Sequence, residues 1–160
     1  MIKPNLAKLL NEQIGHELEA SNAYLGIAAF FGSQSLERWA GYFYKQSEEE
    51  RMHALKIVTF LVDVEAQVDI PLVPKAKTDY QSGVSAVEWA LQNERTVTGQ
   101  FHKMAEAALA EKDFTTFQFL QWFITEQVEE ESSMQKLIDI IKSEPNLFRA
   151  EELLPGHPEG

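Results

Sequence analysis

The sequence predicts an all-α fold: a bundle of four long helices with one long crossover between the second and the third. Apolar residues recur at helical spacing along most of the chain. Helix-breaking residues divide this pattern into four segments, and one of the three connections is much longer than the others. The helices are predicted at about 5–32, 36–65, 83–110 and 114–143.

Small polar residues and glycine mark the predicted ends of these helices. Gly32, with Ser33 and Ser35, is expected to close the first helix and cap the second. Ser82 is positioned to cap the third helix. Lys112 and Asp113 are expected to form the turn that leads into the fourth.

The long connection determines the topology of the bundle. Residues 66–82 contain Pro71 and Pro74 and show no helical period, so they can run the length of the bundle and make the second and third helices parallel. The two short connections join antiparallel neighbours. After Pro145, residues 147–154 are predicted to form one short C-terminal helix.

Length, composition and charge bound the function. The 160 residues, 44% of them apolar, fit one domain spanning 1–160. The absence of cysteine excludes disulfides, cysteine-based zinc sites and thiol nucleophiles, and is typical of a cytoplasmic protein. A formal charge of −11 disfavours nucleic acid and acidic lipid as partners and favours cations. No apolar run approaches the roughly 20 residues that a membrane helix needs.

An acidic residue interrupts the apolar stripe of every predicted helix near its middle. These residues are Glu17, Glu50, Glu94 and Glu130. A single glutamate at such a position usually reaches water at the edge of the core. Four in one bundle repel one another, and each costs several kcal/mol to bury, so we expect cations to neutralise them.

The second helix adds an imidazole to this set. Glu50 and His53 stand at i and i+3, about 5 to 6 Å apart on one helix face. Oxygen-rich ligands with one imidazole suit Fe(II) or Mn(II), and di-iron helical bundles follow this plan. We assign one ion to Glu17, Glu50 and His53, and a second to Glu50, Glu94 and Glu130. With Glu50 as a bridge the ions lie ~3.5 to 4 Å apart, and two irons can together reduce dioxygen to peroxide.

The chain resembles a bacterial non-haem ferritin over nearly its whole length. The resemblance implies ferroxidase activity, a hollow shell of 24 subunits and a ferric oxide mineral stored inside. It also implies that Gln127 joins the five residues above at the ferroxidase centre. The segments that carry the resemblance are Asn11-Glu12-Gln13 through Glu17 and Tyr24, Glu48-Glu49-Glu50-Arg51-Met52-His53, Glu94, Phe117-Gln118-Phe119-Leu120-Gln121-Trp122 and Glu126-Gln127-Val128-Glu129-Glu130.

A third iron site is predicted beside the pair. Glu126, Glu129 and Glu130 fall at i, i+3 and i+4 on the fourth helix, and Glu49 can face them from the second. Many bacterial ferritins place a third site here, and the resemblance favours one in this chain. The alternative interpretation is a solvated acidic surface.

Two aromatic residues and three histidines remain to be placed relative to these glutamates. Tyr24 lies on the face of Glu17 and resembles the family tyrosine that can supply an extra electron, with a packed phenol as the alternative. Trp122 is interpreted as a core residue. His16, His102 and His157 lack acidic partners in this pattern and are predicted to lie on the surface.

Three other classes of protein compete with this interpretation. A haem-containing bacterioferritin usually has a methionine directly after the ligand of the second helix, where this chain has Arg51; Met52 is interpreted as a packing residue. That protein, and di-iron oxidases or peroxidases, usually carry a second Glu-x-x-His, which is absent here. A metal-free helical scaffold requires the four glutamates to be coincidental. We therefore expect no haem.

The predicted partner is the chain itself. Helices of nearly thirty residues have more apolar surface than one inner stripe can bury. We expect Leu25, Phe31, Trp39 and Tyr42 to be exposed and to be covered by neighbouring subunits in a closed homo-oligomer.

Overall fold

The computed structural model describes residues 1–158, and the predicted four-helix bundle with one long crossover is confirmed. These residues contain no β-strand, and none of their helices is long and apolar enough to cross a membrane. α1 packs along α2, and α3 along α4. The predicted short C-terminal helix divides into α5 and a single 3-10 turn. The bounds are Pro4–Gly32 for α1, Glu37–Asp63 for α2, Gly83–Ala110 for α3, Phe114–Ser143 for α4, Leu147–Ala150 for α5 and Glu151–Leu153 for the 3-10 turn.

The predicted cap of α3 by Ser82 is confirmed, and α4 also begins with a side-chain cap. The Ser82 hydroxyl accepts a hydrogen bond from the Ser85 backbone N–H at 3.2 Å, and the Ser85 hydroxyl accepts one from the Ser82 N–H at 3.0 Å. At the start of α4, the Asp113 carboxylate accepts a hydrogen bond from the Thr116 N–H at 2.9 Å. Each helix start thus has a side chain that accepts a hydrogen bond from a free N–H group three residues away.

The predicted cap of α2 by Ser33 or Ser35 is wrong. The turn before α2 places Ser35 in the left-handed region, with φ of 61°, and no side chain of the turn caps the helix. Instead, Glu151 reaches back from the C-terminal segment. One oxygen of its carboxylate accepts hydrogen bonds from the backbone N–H groups of Arg38 at 3.0 Å and Trp39 at 3.5 Å. A carboxylate is favourable there because the N-terminal end of a helix is electropositive.

The crossover between α2 and α3 lies against α1. Near the N-terminal end of α1, the Asn11 amide donates to the Gln67 carbonyl at 3.0 Å and accepts from the Asp69 N–H at 2.7 Å. Further along α1, a Cβ atom on Gly26 would stand only 2.2 Å from the Lys77 carbonyl oxygen. The crossover therefore returns along α1 and starts α3 at the same end of the bundle as α2, so those two helices are parallel.

The core consists of two apolar clusters with a polar layer between them. Along α1, one cluster ends at Ile14 and the other begins at Tyr24, with Glu17 in between. On α3, Leu91 belongs to one cluster and Val97 to the other. The four helices thus carry their acidic residues at one common depth.

The predicted exposure of four apolar side chains is wrong for three of them. Leu25 is 48% exposed, but Phe31 and Trp39 are fully buried and Tyr42 is 5% exposed. Phe31 stacks on Trp39 with ring centroids 5.3 Å apart, and the Trp39 indole N–H donates to the Leu147 carbonyl at 3.1 Å. The C-terminal segment thus covers apolar surface that was expected to be covered by a neighbouring subunit.

Candidate metal centre

The structure brings the six side chains of the predicted pair into one layer at the middle of the bundle. Each helix contributes at least one of them, and every one is at most 3% exposed. Burying so many acidic groups together is unfavourable unless protons, hydrogen bonds or cations compensate their charge. The six residues are Glu17 on α1, Glu50 and His53 on α2, Glu94 on α3, and Gln127 and Glu130 on α4.

Two groups of potential ligands share Glu50. In one, ligand atoms of Glu17, Glu50 and His53 all lie within 4.8 Å of one another, and in the other so do those of Glu50, Glu94 and Glu130. His53 Nδ1 is 3.2 Å from Glu50 Oε2 and 3.6 Å from Glu17 Oε2. These groups match the two ions assigned from the sequence, while metal binding by them stays a prediction.

Two glutamines that the sequence interpretation missed hold these carboxylates in place. The Gln13 amide donates to Glu17 Oε1 at 2.8 Å. The Gln46 amide donates to Glu50 Oε1 at 3.0 Å and to Glu130 Oε2 at 2.6 Å. Both glutamines lie four residues before a candidate ligand, a spacing that places them one turn away on the same helix face. That spacing is the signal that could have identified them.

Glu94 is held by Tyr24 and Gln127. The Tyr24 phenol donates a short hydrogen bond, 2.5 Å, to Glu94 Oε1, and the Gln127 amide donates to Glu94 Oε2 at 3.0 Å. The Tyr24 ring also stacks on Phe43, with centroids 5.9 Å apart. Burial, followed by the charge of Glu94, raises the pKa of Tyr24 well above its usual value, so the phenol keeps its proton.

Glu50 and Glu130 hold protons more tightly than free carboxylates do. Burial, followed by the charges of Glu94 and Glu17, raises the pKa of Glu50 well above 4.5; burial and the charge of Glu50 do the same for Glu130. Burial alone lowers the pKa of His53, but neighbouring carboxylates, Glu17 foremost, raise it to about 9. All of these shifts show that the layer favours positive charge.

A third group of potential ligands lies next to these two. Ligand atoms of Glu49, His53, Glu126 and Glu130 lie within 4.8 Å of one another. Glu126 is 7% exposed, and both its Oε1 atom and His53 Nε2 are buried without a hydrogen-bond partner. Glu129, predicted for this site, is exposed and outside the group. Successive residues on a helix point about 100° apart, so the inward direction of Glu130 turns Glu129 outward.

Glu49 is only partly accessible and faces this third group. Its side chain is 12% exposed. Burial, followed by a hydrogen bond with Glu126, raises the pKa of Glu49 to about 8. A cation that binds at this group would displace the proton that the raised pKa of Glu49 retains.

Trp122 and Met52 were both interpreted as packing residues, and the structure agrees for Trp122 only. The Trp122 ring packs edge to face against His53, with centroids 5.5 Å apart, and Lys56 Nζ lies 3.8 Å above the Trp122 ring. Trp122 is partly buried, close to the core position predicted for it. Met52 is 60% exposed, so its interpretation as a packing residue is wrong. It follows Glu50 by two residues and therefore points away from the core.

His157 is not the surface residue that the sequence predicted. Its side chain is only 5% exposed, with Nε2 2.7 Å from Gln46 Oε1 and 3.4 Å from Glu49 Oε2, and its ring lies 4.9 Å from that of Tyr42. No local pattern signals a contact between residues 111 positions apart in the sequence. His16 and His102 are exposed, as predicted.

Comparison with known sequences identifies related proteins. The family model described as a ferritin-like domain matches residues 7–143. The chain is 37% identical over 141 residues to the bacterial non-heme ferritin of Staphylococcus aureus strain USA300, covering 88% of this chain and 85% of that protein. It is 36% identical to the bacterial non-heme ferritin of Staphylococcus haemolyticus strain JCSC1435 over the same shares.

Comparison with solved structures gives the same relationship. An open pore ferritin from the hyperthermophilic archaeon Archaeoglobus fulgidus superposes with a TM-score of 0.93 at 32% identity, covering 96% of this chain and 98% of that one. A closed form of the Archaeoglobus fulgidus ferritin, engineered by site-directed mutagenesis, superposes with a TM-score of 0.94 at 30% identity over the full length of both chains.

Proposed function

This chain belongs to the ferritin-like domain family, and on that premise we propose that it stores iron and oxidises Fe(II) with dioxygen at a pair of sites inside each subunit. The observation that carries the proposal is the sharing of Glu50 between two adjacent groups of buried ligand atoms. A shared carboxylate brings two iron ions close enough to act on one dioxygen molecule.

The ligands divide between two substrate ions. One Fe(II) binds to Glu17, Glu50 and His53, and the other to Glu50, Glu94 and Glu130. Oxygen-rich ligands with one imidazole suit this ion, and three protein ligands for each leave positions open for dioxygen. Because the pKa values of Glu50 and Glu130 are raised, binding of iron releases protons from the layer.

The oxidation balances with two irons for each dioxygen. Each Fe(II) loses one electron and becomes Fe(III), and dioxygen takes up both electrons with two protons to give hydrogen peroxide. Gln127 and Tyr24 keep Glu94 oriented during this step through their hydrogen bonds to its two oxygens. With a third Fe(II) bound beside the pair, one electron from that iron and one from Tyr24 complete the four that reduce dioxygen to two waters, and the phenol proton passes to Glu94.

The third group of ligands holds an iron beside the pair. Glu49, Glu126 and Glu130 supply carboxylate oxygens there, while His53 stays a ligand of the pair. Glu129 is exposed beside this group and can take part only as an outer ligand for iron entering or leaving. The role proposed for this site is transfer of iron between the pair and the stored mineral.

Storage of iron requires that subunits assemble around a cavity. We propose a shell of 24 subunits that is cytoplasmic and contains no haem. Large apolar side chains remain exposed on the single chain, among them Leu25, Val62, Phe114 and Val128. Such side chains are suited to contacts between subunits. Light scattering should give a mass near 24 subunits, and a monomer at micromolar concentration would rule out the shell.

The ferroxidase proposal is tested by titrating the protein with Fe(II) without oxygen and then adding oxygen. The parent protein should bind at least two Fe(II) per subunit and oxidise them rapidly. Glu50→Ala should oxidise Fe(II) far more slowly, while the exposed Glu88→Ala on α3 should match the parent. Equal rates for all three proteins would contradict the proposal, and a strong Soret band in the purified protein would favour the haem-binding alternative.

A further inference from the structure

We propose that His157 is a positioning residue of the metal centre, acting through the side-chain amide of Gln46. The inference rests on the proposed metal centre and adds to it a residue that lies outside the four helices. His157 does not belong to any of the three groups of ligand atoms. Its effect therefore passes through the groups that it contacts.

The hydrogen bonds around Gln46 show how this positioning works. His157 Nε2 lies 2.7 Å from Gln46 Oε1, and an amide oxygen can only accept, so Nε2 carries the proton and donates it. The Gln46 NH₂ group is then free to donate to Glu50 Oε1 at 3.0 Å and Glu130 Oε2 at 2.6 Å. Rotation of the amide by 180° would place its oxygen against two carboxylates and its NH₂ against the donor of His157. The donor on His157 thus fixes the orientation that serves both ligands.

Because Gln46 is buried, its orientation depends on this hydrogen bond. Gln46 is 1% exposed and the His157 side chain 5%, so water cannot replace a lost partner of either group. The His157 ring packs edge to face on Tyr42, and its Nε2 atom lies 3.4 Å from Glu49 Oε2. One imidazole therefore contacts a residue that orients the pair and a candidate ligand of the third site.

The C-terminal segment is anchored before it reaches this position. The Leu147 carbonyl accepts the indole N–H of Trp39, and Glu151 caps the first turn of α2. Six residues later, His157 meets the same helix further along, at Gln46. The segment thus contacts α2 from its first turn to Gln46, beside the metal centre.

Two substitutions separate the hydrogen bond of His157 from its packing. His157→Phe keeps an aromatic ring on Tyr42 but removes the donor, whereas His157→Gln removes the ring and keeps an N–H at a similar reach. His102→Phe, at an exposed histidine on α3, serves as the control for loss of a histidine. Cobalt(II) is the probe, because its visible absorption reports ligand geometry and it is not oxidised by air during the titration.

The parent protein and His102→Phe should bind cobalt(II) at the pair with the same affinity and spectrum. His157→Phe should bind it about 10-fold more weakly, the lower end of what loss of an outer-shell hydrogen bond costs a metal site, and with an altered spectrum. His157→Gln should recover most of that loss. In a Gln46→Leu background, His157→Phe should have little further effect, because the residue through which it acts is gone.

Two results would overturn the positioning role of His157, and a third would reject the metal centre as well. Parent-like affinity in His157→Phe would overturn the positioning role and leave the metal centre intact. Equal weakening in the Phe and Gln variants would also overturn it, because the donor would then not be what matters. Failure of the parent protein itself to bind cobalt(II) would reject the metal centre and this inference together. Far-UV circular dichroism and light scattering confirm that each variant is folded and assembled.

Discussion

Glu50→Gln should make the metal-free protein more stable, by an amount that grows with pH. Glutamine has nearly the shape of a protonated glutamate, and the Gln46 amide can still donate to its oxygen. Burial raises the pKa of Glu50 well above 4.5, its usual value. Between these two pKa values the folded protein keeps a proton that the unfolded chain has lost, so each pH unit costs the folded state ~1.4 kcal/mol. The glutamine variant does not carry this cost.

The expected difference follows from this slope. Near pH 4.5 the two proteins should have similar free energies of unfolding, because Glu50 is then protonated in the fold and half protonated in the unfolded chain. From pH 5.5 to 7.5 the parent should lose up to ~2.7 kcal/mol relative to the variant, two pH units at the slope of a single proton. Urea denaturation in the presence of a chelator, followed by circular dichroism at several pH values, measures this difference.

Metal should offset the stability advantage of the variant. Cobalt(II) at 100 times its dissociation constant stabilises a protein with one site by ~2.7 kcal/mol, and a variant that lacks the bridging carboxylate should gain much less. Glu88→Gln, at an exposed glutamate, is the matched control and should follow the parent throughout. Parallel stability profiles for the parent and Glu50→Gln between pH 5.5 and 7.5 would refute the reasoning, because they would mean that Glu50 titrates normally in the fold.

Two further substitutions test the crossover and the environment of Glu94. Gly26→Ala should lower the free energy of unfolding by about 1 to 3 kcal/mol, since its Cβ would lie 2.2 Å from the Lys77 carbonyl oxygen. Gly99→Ala, with nothing within 4 Å of its Cβ, should raise it by about 0.5 to 1 kcal/mol; urea denaturation that ranked them equally would contradict this contrast. Tyr24→Phe keeps the ring but removes the hydrogen bond to Glu94, and stopped-flow oxidation of Fe(II) should be about 10-fold slower. A parent-like rate would show that this hydrogen bond does not serve the reaction.

Features that depend on neighbours in sequence were predictable. The cap of α3 joins Ser82 to Ser85, and the Glu50–His53 spacing places both side chains on one helix face. The glutamates on the other helices were identified because each interrupts a regular apolar stripe. A helical period fixes the direction of a side chain relative to its neighbours, so the common depth of these residues could be inferred before their distances were known.

Features that depend on distant segments were not predictable. Glu151 caps a helix that begins more than a hundred residues earlier, and His157 reaches Gln46 over a similar separation. A helix considered alone also gives no reason to bury Trp39, which is covered by the C-terminal segment. The exposure of Glu129 was missed for another reason: its spacing from Glu126 was considered, but not its place directly before Glu130, whose position in the apolar stripe turns Glu129 outward.

The position of Glu151 has a consequence for the order in which a subunit matures. Ribosomes make the C-terminal segment after all four helices, so a nascent chain holds α2 without the carboxylate that satisfies its first turn. Until residues 147–157 have emerged and docked, the start of α2 can fray and the amide oxygen of Gln46 lacks the donor of His157. The bundle can thus collapse during translation, but the candidate metal centre acquires its final geometry only after translation of that segment.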